Sequence, residues 1–118
     1  MRFAPLLCLL LLFAGCNNDG GSATNTRALE AASRELQPAD KELADIYNRS
    51  CRSCHTIAAT GAPLTGDIEA WASRMEKGAD VLLENVVSGF GGMPPMGLCM
   101  DCDADEFDAL ILFMARGK

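Results

Sequence analysis

Histidine, tryptophan and tyrosine each occur once in this chain of 118 residues. With so few large aromatics, the chain has little of its own from which to build a core. Long apolar runs are equally scarce. The leucine-rich, uncharged run over residues 3–15 is too short for a membrane-crossing helix, which needs ~20 apolar residues. It comes after Arg2 and ends in small residues, the pattern of a cleaved export signal over residues 1–15. Basic residues are outnumbered, 10 against 16 acidic, for a formal charge of −6. The clustered Lys and Arg that nucleic acid requires are absent. Loss of the signal removes only Arg2 and leaves −7, a charge that favours a partner with a basic docking face.

Alternation of apolar and polar residues, the mark of a half-buried strand, is also missing. The spacing predicts an all-α domain of four to five short helices joined by long loops. Residues 26–37 read as a short or partly helical stretch that ends before Pro38. Residues 41–49 place Leu43, Ile46 and Tyr47 on one face. Asp67 is a candidate N-cap for a helix through Trp71 to Met75, and residues 80–88 form another. The last helix opens on the capping-box pattern Asp103-x-x-Glu106 and runs to about Ala115, with Gly117 just beyond it. Three glycines and then Pro94-Pro95 exclude regular structure over residues 89–102. Loops this long in a small domain need something to pack against.

The chain is better supplied with cysteine. Cys8 falls within the signal, and Cys16 stands at its end. The run Leu12-Phe13-Ala14-Gly15-Cys16 resembles a bacterial lipobox, with Phe13 where leucine is usual. That resemblance implies lipidation of Cys16; ordinary cleavage after Cys16 would instead release a soluble protein. Residues 17–26, rich in Asn, Gly, Ser and Thr, have the composition of a flexible tether.

The remaining four cysteines form two Cys-x-x-Cys pairs, Cys51/Cys54 and Cys99/Cys102, and export puts both in an oxidising compartment. Cys51-Arg52-Ser53-Cys54-His55 is the attachment signature of haem c. The two thiols bond the haem vinyl groups, and the next residue offers an imidazole to the iron. One haem would supply the surface that the long loops and sparse aromatics call for. Two other readings compete. A Cys₄ zinc site is disfavoured because 44 residues separate Cys54 from Cys99, against ~15–20 in that pattern. A thioredoxin-like redox pair needs a βαβ setting that this chain lacks.

Methionine is the usual second iron ligand in electron-carrying haem c proteins. Met93 comes after Gly89-Phe90-Gly91-Gly92, where missing side chains let the backbone approach a cofactor, and precedes the stiff Pro94-Pro95. Met96 is the alternative, and a sixth position without methionine is the third case.

Cys51-x-x-Cys54-His55, Gly61-Ala62-Pro63-Leu64-x-Gly66-Asp67, Trp71-x-x-Arg74, Lys77-Gly78 and Met93-Pro94-Pro95-x-Gly97-x-Cys99-x-x-Cys102 together resemble the cytochrome c5 family. The likeness covers residues 40–114. It implies a class I cytochrome c fold, here over residues 38–118; the lipid-attachment cysteine and tether, with the short or partly helical stretch, take residues 16–37 ahead of it. It implies a small electron carrier rather than an enzyme, and a disulfide between Cys99 and Cys102. It also implies that the Pro63 carbonyl accepts the hydrogen bond of the His55 ring. It makes Trp71 and Arg74 candidates for hydrogen bonds to the haem propionates, with core packing for Trp71 and a solvated charge for Arg74 as the alternatives. Family members often carry a lysine where Met96 stands here, so an apolar docking surface is expected around Met96. The expected setting is the bacterial periplasm. Electrons would pass from a respiratory donor to an oxidase or a reductase. A haem sensor or peroxidase-like domain with an exchangeable sixth ligand is the rival class.

Overall fold

The computed structural model describes residues 19–118. The signal segment and Cys16 lie outside the described residues. Helix α1 (Asp19–Glu35) comes first. Asp40 then caps α2 (Lys41–Ile46), its carboxylate accepting the Leu43 amide at 2.9 Å. The helix does not end near Arg49 as its spacing suggests. It widens into a π turn (Tyr47–Cys51), in which the Arg52 amide reaches back to the Tyr47 carbonyl, and continues as α3 (Arg52–His55). Such a turn inserts one extra residue and rotates the next helical segment about the axis; π turns are frequent at functional sites. Here it falls directly ahead of the Cys-x-x-Cys-His segment.

Asp67 caps α4 (Ile68–Met75) by accepting the Ala70 amide at 3.1 Å. After Gly78, whose φ of 93° breaks the helical path, comes α5 (Ala79–Ser88). The last helix, α6 (Ala104–Arg116), opens on the expected capping box. Asp103 accepts the Glu106 amide, and Glu106 accepts the Asp103 amide, both at 2.9 Å. Among the described residues the only β pairing is the isolated bridge between Phe90 and Met93.

The core lies where these helices meet. Ile46 and Tyr47 pack with Trp71, Leu82, Val86 and the buried face of α6, including Phe107, Leu110 and Met114. Tyr47 is wholly buried and meets Phe113 edge-on, with ring centroids 5.0 Å apart.

Composition alone starts the first helix at Thr26 and makes residues 17–26 a tether. The structure extends the helix back to Asp19. The reason lies at its other end. Ser33 and Glu30 hydrogen-bond the body of the protein, and Leu36 fills a slot beside Gly66 and Gly117. Once the last turns are anchored the nucleation cost is met, and weak helix formers can extend the helix.

Candidate functional site

A cavity of about 550 Å³ is lined by Cys51, Cys54, His55, Met93 and Met114, among others. That volume lies in the usual range for cofactor and ligand sites. The π turn and α3 supply the Cys-x-x-Cys-His wall. Cys51 is half-buried and Cys54 exposed, and neither is in a disulfide. Before haem attachment, burial pushes the Cys51 thiol up to about 11 against the opposing charge of Arg49.

His55 is buried, and its Nδ1 lies 2.8 Å from the Pro63 carbonyl oxygen. A carbonyl only accepts, so Nδ1 carries the proton and donates. Nε2 therefore keeps its lone pair, the form a metal ligand needs. Burial lowers the pKa of the imidazole despite the Pro63 hydrogen bond, which favours the neutral ring. The His55 carbonyl is fixed as well, accepting from the Thr65 amide at 2.8 Å and from the Ser33 hydroxyl at 3.0 Å. Thr65 Oγ1 shares a further hydrogen bond of 2.9 Å with the Tyr47 hydroxyl.

Trp71 stacks on His55, with ring centroids 5.9 Å apart and planes 26° apart. Its indole N–H donates to the Leu64 carbonyl at 2.9 Å. In this arrangement it is a wall of the cavity and a brace for the Pro63–Leu64 segment, which is the packing role rather than that of a propionate donor. Arg74 also lines the cavity; one guanidinium nitrogen donates to the Ala70 carbonyl one turn back.

The methionine loop is shaped by glycine. Phe90 and Met93 exchange two backbone hydrogen bonds, of 3.1 and 2.9 Å, across Gly91-Gly92. Gly97 adopts φ 54°, and a Cβ there would sit 3.1 Å from Met93 Cε. Met93 thus lies against a missing side chain and faces the cavity. Met96 does not line the cavity. It is half-buried and packs against the core. This corrects the expectation of an apolar contact at Met96. The exposed apolar residues at the cavity rim are Phe90 and Leu98, 61% and 65% exposed. Nothing in the spacing signals this, because Leu98 adopts φ 66°, a left-handed backbone unusual for leucine.

Cys99 and Cys102 form a disulfide with Cα atoms 5.4 Å apart. The bridge closes the methionine loop onto the start of α6. It also removes two of the four ligands a Cys₄ zinc site would need, and among the described residues no three His, Cys, Asp or Glu side chains gather as a metal cluster.

An all-α domain whose main cavity is faced by Cys-x-x-Cys-His, with the ring nitrogen free and methionine nearby, is the architecture of a class I c-type cytochrome. Residues 38–114 match the family described as cytochrome c oxidase, cbb3-type, subunit III. The chain is 40% identical to cytochrome c5 of Ectopseudomonas mendocina over 73 residues, which is 60% of this chain and 84% of that protein. It is 41% identical to cytochrome c5 of Azotobacter vinelandii over 69 residues, 57% of this chain and 83% of that one. A chain from a crystal structure of an electron transfer complex of nitrite reductase with cytochrome c superposes with a TM-score of 0.57 at 35% identity, covering 67% of this chain and all of that one.

The chain belongs to the cytochrome c5 family. It is an electron carrier with one haem c held covalently through Cys51 and Cys54. The haem supplies an iron that gains and loses one electron. The protein's part is to hold the cofactor, fix its ligand and limit its contact with water.

Proposed function

We propose that His55 and Met93 are the two iron ligands and that the protein carries electrons between respiratory components in the bacterial periplasm. One observation supports this above the rest: the free Nε2 of His55 and the side chain of Met93 belong to the same cavity. Its walls are largely apolar, which suits a haem plane. Arg74 is the side chain proposed to meet a propionate, and Pro63 the acceptor that orients the ligand ring. The nitrite reductase complex in the structural relative supports a reductase as one class of acceptor.

Phe90 and Leu98 at the rim form the proposed docking surface. The acidic chain draws a basic partner face towards it, and the apolar rim makes close contact. Residues 1–15 act as an export signal and residues 38–118 as the cytochrome domain. Lipid on Cys16 holds the mature protein at a membrane. Mass spectrometry of the mature protein reads haem and acyl mass together, and a protein lacking Cys16 would exclude the anchor.

The reduced absorption spectrum tests ligation. A low-spin spectrum unchanged by carbon monoxide is expected. Avid carbon monoxide binding would replace the carrier with a sensor or peroxidase-like domain.

A further inference from the structure

Helix α1 ends at Glu35, ahead of the stretch matching the cytochrome family, which begins at residue 38. Even so, it is bonded to the segment that carries the haem. Ser33, with no exposed surface, donates its hydroxyl to the His55 carbonyl at 3.0 Å. The Glu30 carboxylate accepts the Ala58 amide, also at 3.0 Å. The Arg52 guanidinium donates to the Arg34 carbonyl. These three bonds hold the chain before, at and after His55. Leu36, just past the helix, is the apolar part of the same contact. A Cβ on Gly66 would come within 2.6 Å of its Cδ1, and one on Gly117 within 3.0 Å.

The His55 carbonyl links this contact to the ligand ring. It is shared by Ser33 and the Thr65 amide, and Thr65 is two residues beyond Pro63, whose carbonyl takes the ring proton. Movement of His55 against the 63–65 loop strains all of these bonds together. We propose that α1 is a positioning element for the iron ligand: Ser33 holds the His55 backbone, preserves the hydrogen bond from the ring to Pro63, and so sets the haem potential. The inference rests on His55 being an iron ligand. A hydrogen bond from the distal ring nitrogen raises the basicity of the ligand. A more basic ligand favours the oxidised iron, so loosening that bond moves the midpoint potential upward.

The test uses the full-length haem-loaded protein with Ser33→Ala and, separately, Leu36→Ala. Alanine is the better helix former, so Ser33→Ala removes the hydroxyl without weakening α1 itself. Thr26→Ala is the control, because among the described residues the Thr26 hydroxyl bonds the Ser22 carbonyl of its own exposed helix and nothing in the haem-bearing segment. The readouts are the midpoint potential and amide exchange at Thr65 and Ala58. Ser33→Ala is expected to raise the potential and to speed exchange at Thr65 by about tenfold, as loss of a buried hydrogen bond implies. Leu36→Ala should shift the potential the same way, and Thr26→Ala should change neither readout. Faster exchange with the potential unmoved in both variants would make α1 a strap only and overturn the proposal; so would no change in either readout. Failure of the ligand assignment is visible separately, as a parent protein whose spectrum is not low-spin.

Discussion

Arg49 meets Asp101 through two hydrogen bonds of 2.9 Å, one from each terminal guanidinium nitrogen. Its Nη2 also lies 3.4 Å from Cys99 Sγ. The π turn ahead of Cys51 is thereby tied to the disulfide loop, and through it to the start of α6. Both side chains are exposed, 46% and 71%, so the pair sets register more than it adds stability.

Asp101→Asn should therefore produce a small, pH-dependent loss. The Arg49 hydrogen bond holds the Asp101 carboxyl below its ordinary range. A carboxyl whose pKa is lower when folded stabilises the protein above its unfolded pKa, about 3.9. That stabilisation disappears as pH falls through the folded value. Urea midpoints of the parent and Asp101→Asn should differ near neutrality, converge below about pH 4, and differ less in high salt. A gap that persists at about pH 2 would mean the charge is not its source.

The methionine loop predicts a ranking among glycines. Gly61 has φ 76° and open space around a Cβ, so Gly61→Ala meets backbone strain alone, a cost of about 1 kcal/mol. At Gly97 the Cβ also crowds Met93 Cε at 3.1 Å, a flexible end that can yield. At Gly89 it meets backbone, the Met93 carbonyl oxygen at 2.9 Å and Pro95 N at 3.0 Å. Overpacking against rigid neighbours adds roughly 1–3 kcal/mol. Denaturation should place Gly89→Ala as the most damaging and Gly61→Ala as the least. Gly97→Ala should perturb the haem spectrum at little cost in stability beyond the backbone strain, because it crowds the end of the Met93 side chain, whereas Gly61→Ala should leave the spectrum unchanged.

Ligation gives a sharper contrast. Met93→Ala should open the iron to carbon monoxide, whereas Met96→Ala should leave the spectrum as it was and cost stability through lost packing. Both methionines pack against the core, but only Met93 lines the cavity, so under the proposed ligation one deletion empties a coordination position and the other only a packing site. Carbon monoxide binding in Met96→Ala, and none in Met93→Ala, would reverse the assignment. A third methionine, Met114, lines the cavity from α6 but is buried among core residues. Met114→Ala should behave as a core deletion.

Local signals carry much of this structure. The caps at Asp67 and Asp103, the helical stripe of α6 and the Cys-x-x-Cys-His wall arise from residues within a few positions of one another. The departures arise where distant chain segments meet. Residues 19–26 read as tether because nothing nearby shows that Ser33 will find the His55 carbonyl, 22 positions away. The π turn has no residue signature; it appears when Tyr47 must bury itself while Cys51 faces the cavity. Trp71 reads equally as a propionate donor or a core residue until the fold brings the Leu64 carbonyl to its N–H. Met96 and Leu98 exchange roles because each has positive φ, at 59° and 66°. Two left-handed residues around Gly97 turn one side chain inward and the next outward, which no periodicity anticipates.

Leu98 also yields the prediction closest to function. It is exposed at the cavity rim, as is Phe90, with no charged residue between them in the sequence of that loop. An apolar contact there makes the last stage of docking insensitive to salt, while long-range attraction is left to the acidic surface. Leu98→Lys should slow electron transfer to a partner with a basic face and make the fall of the rate with added salt shallower, because the new charge offsets part of the acidic attraction. The haem potential and spectrum should not move, since Leu98 holds neither the His55 loop nor Met93. Measuring the transfer rate across a salt series, with the midpoint potential as the control, separates docking from ligation. An unchanged salt slope in Leu98→Lys would place the docking surface elsewhere on the molecule.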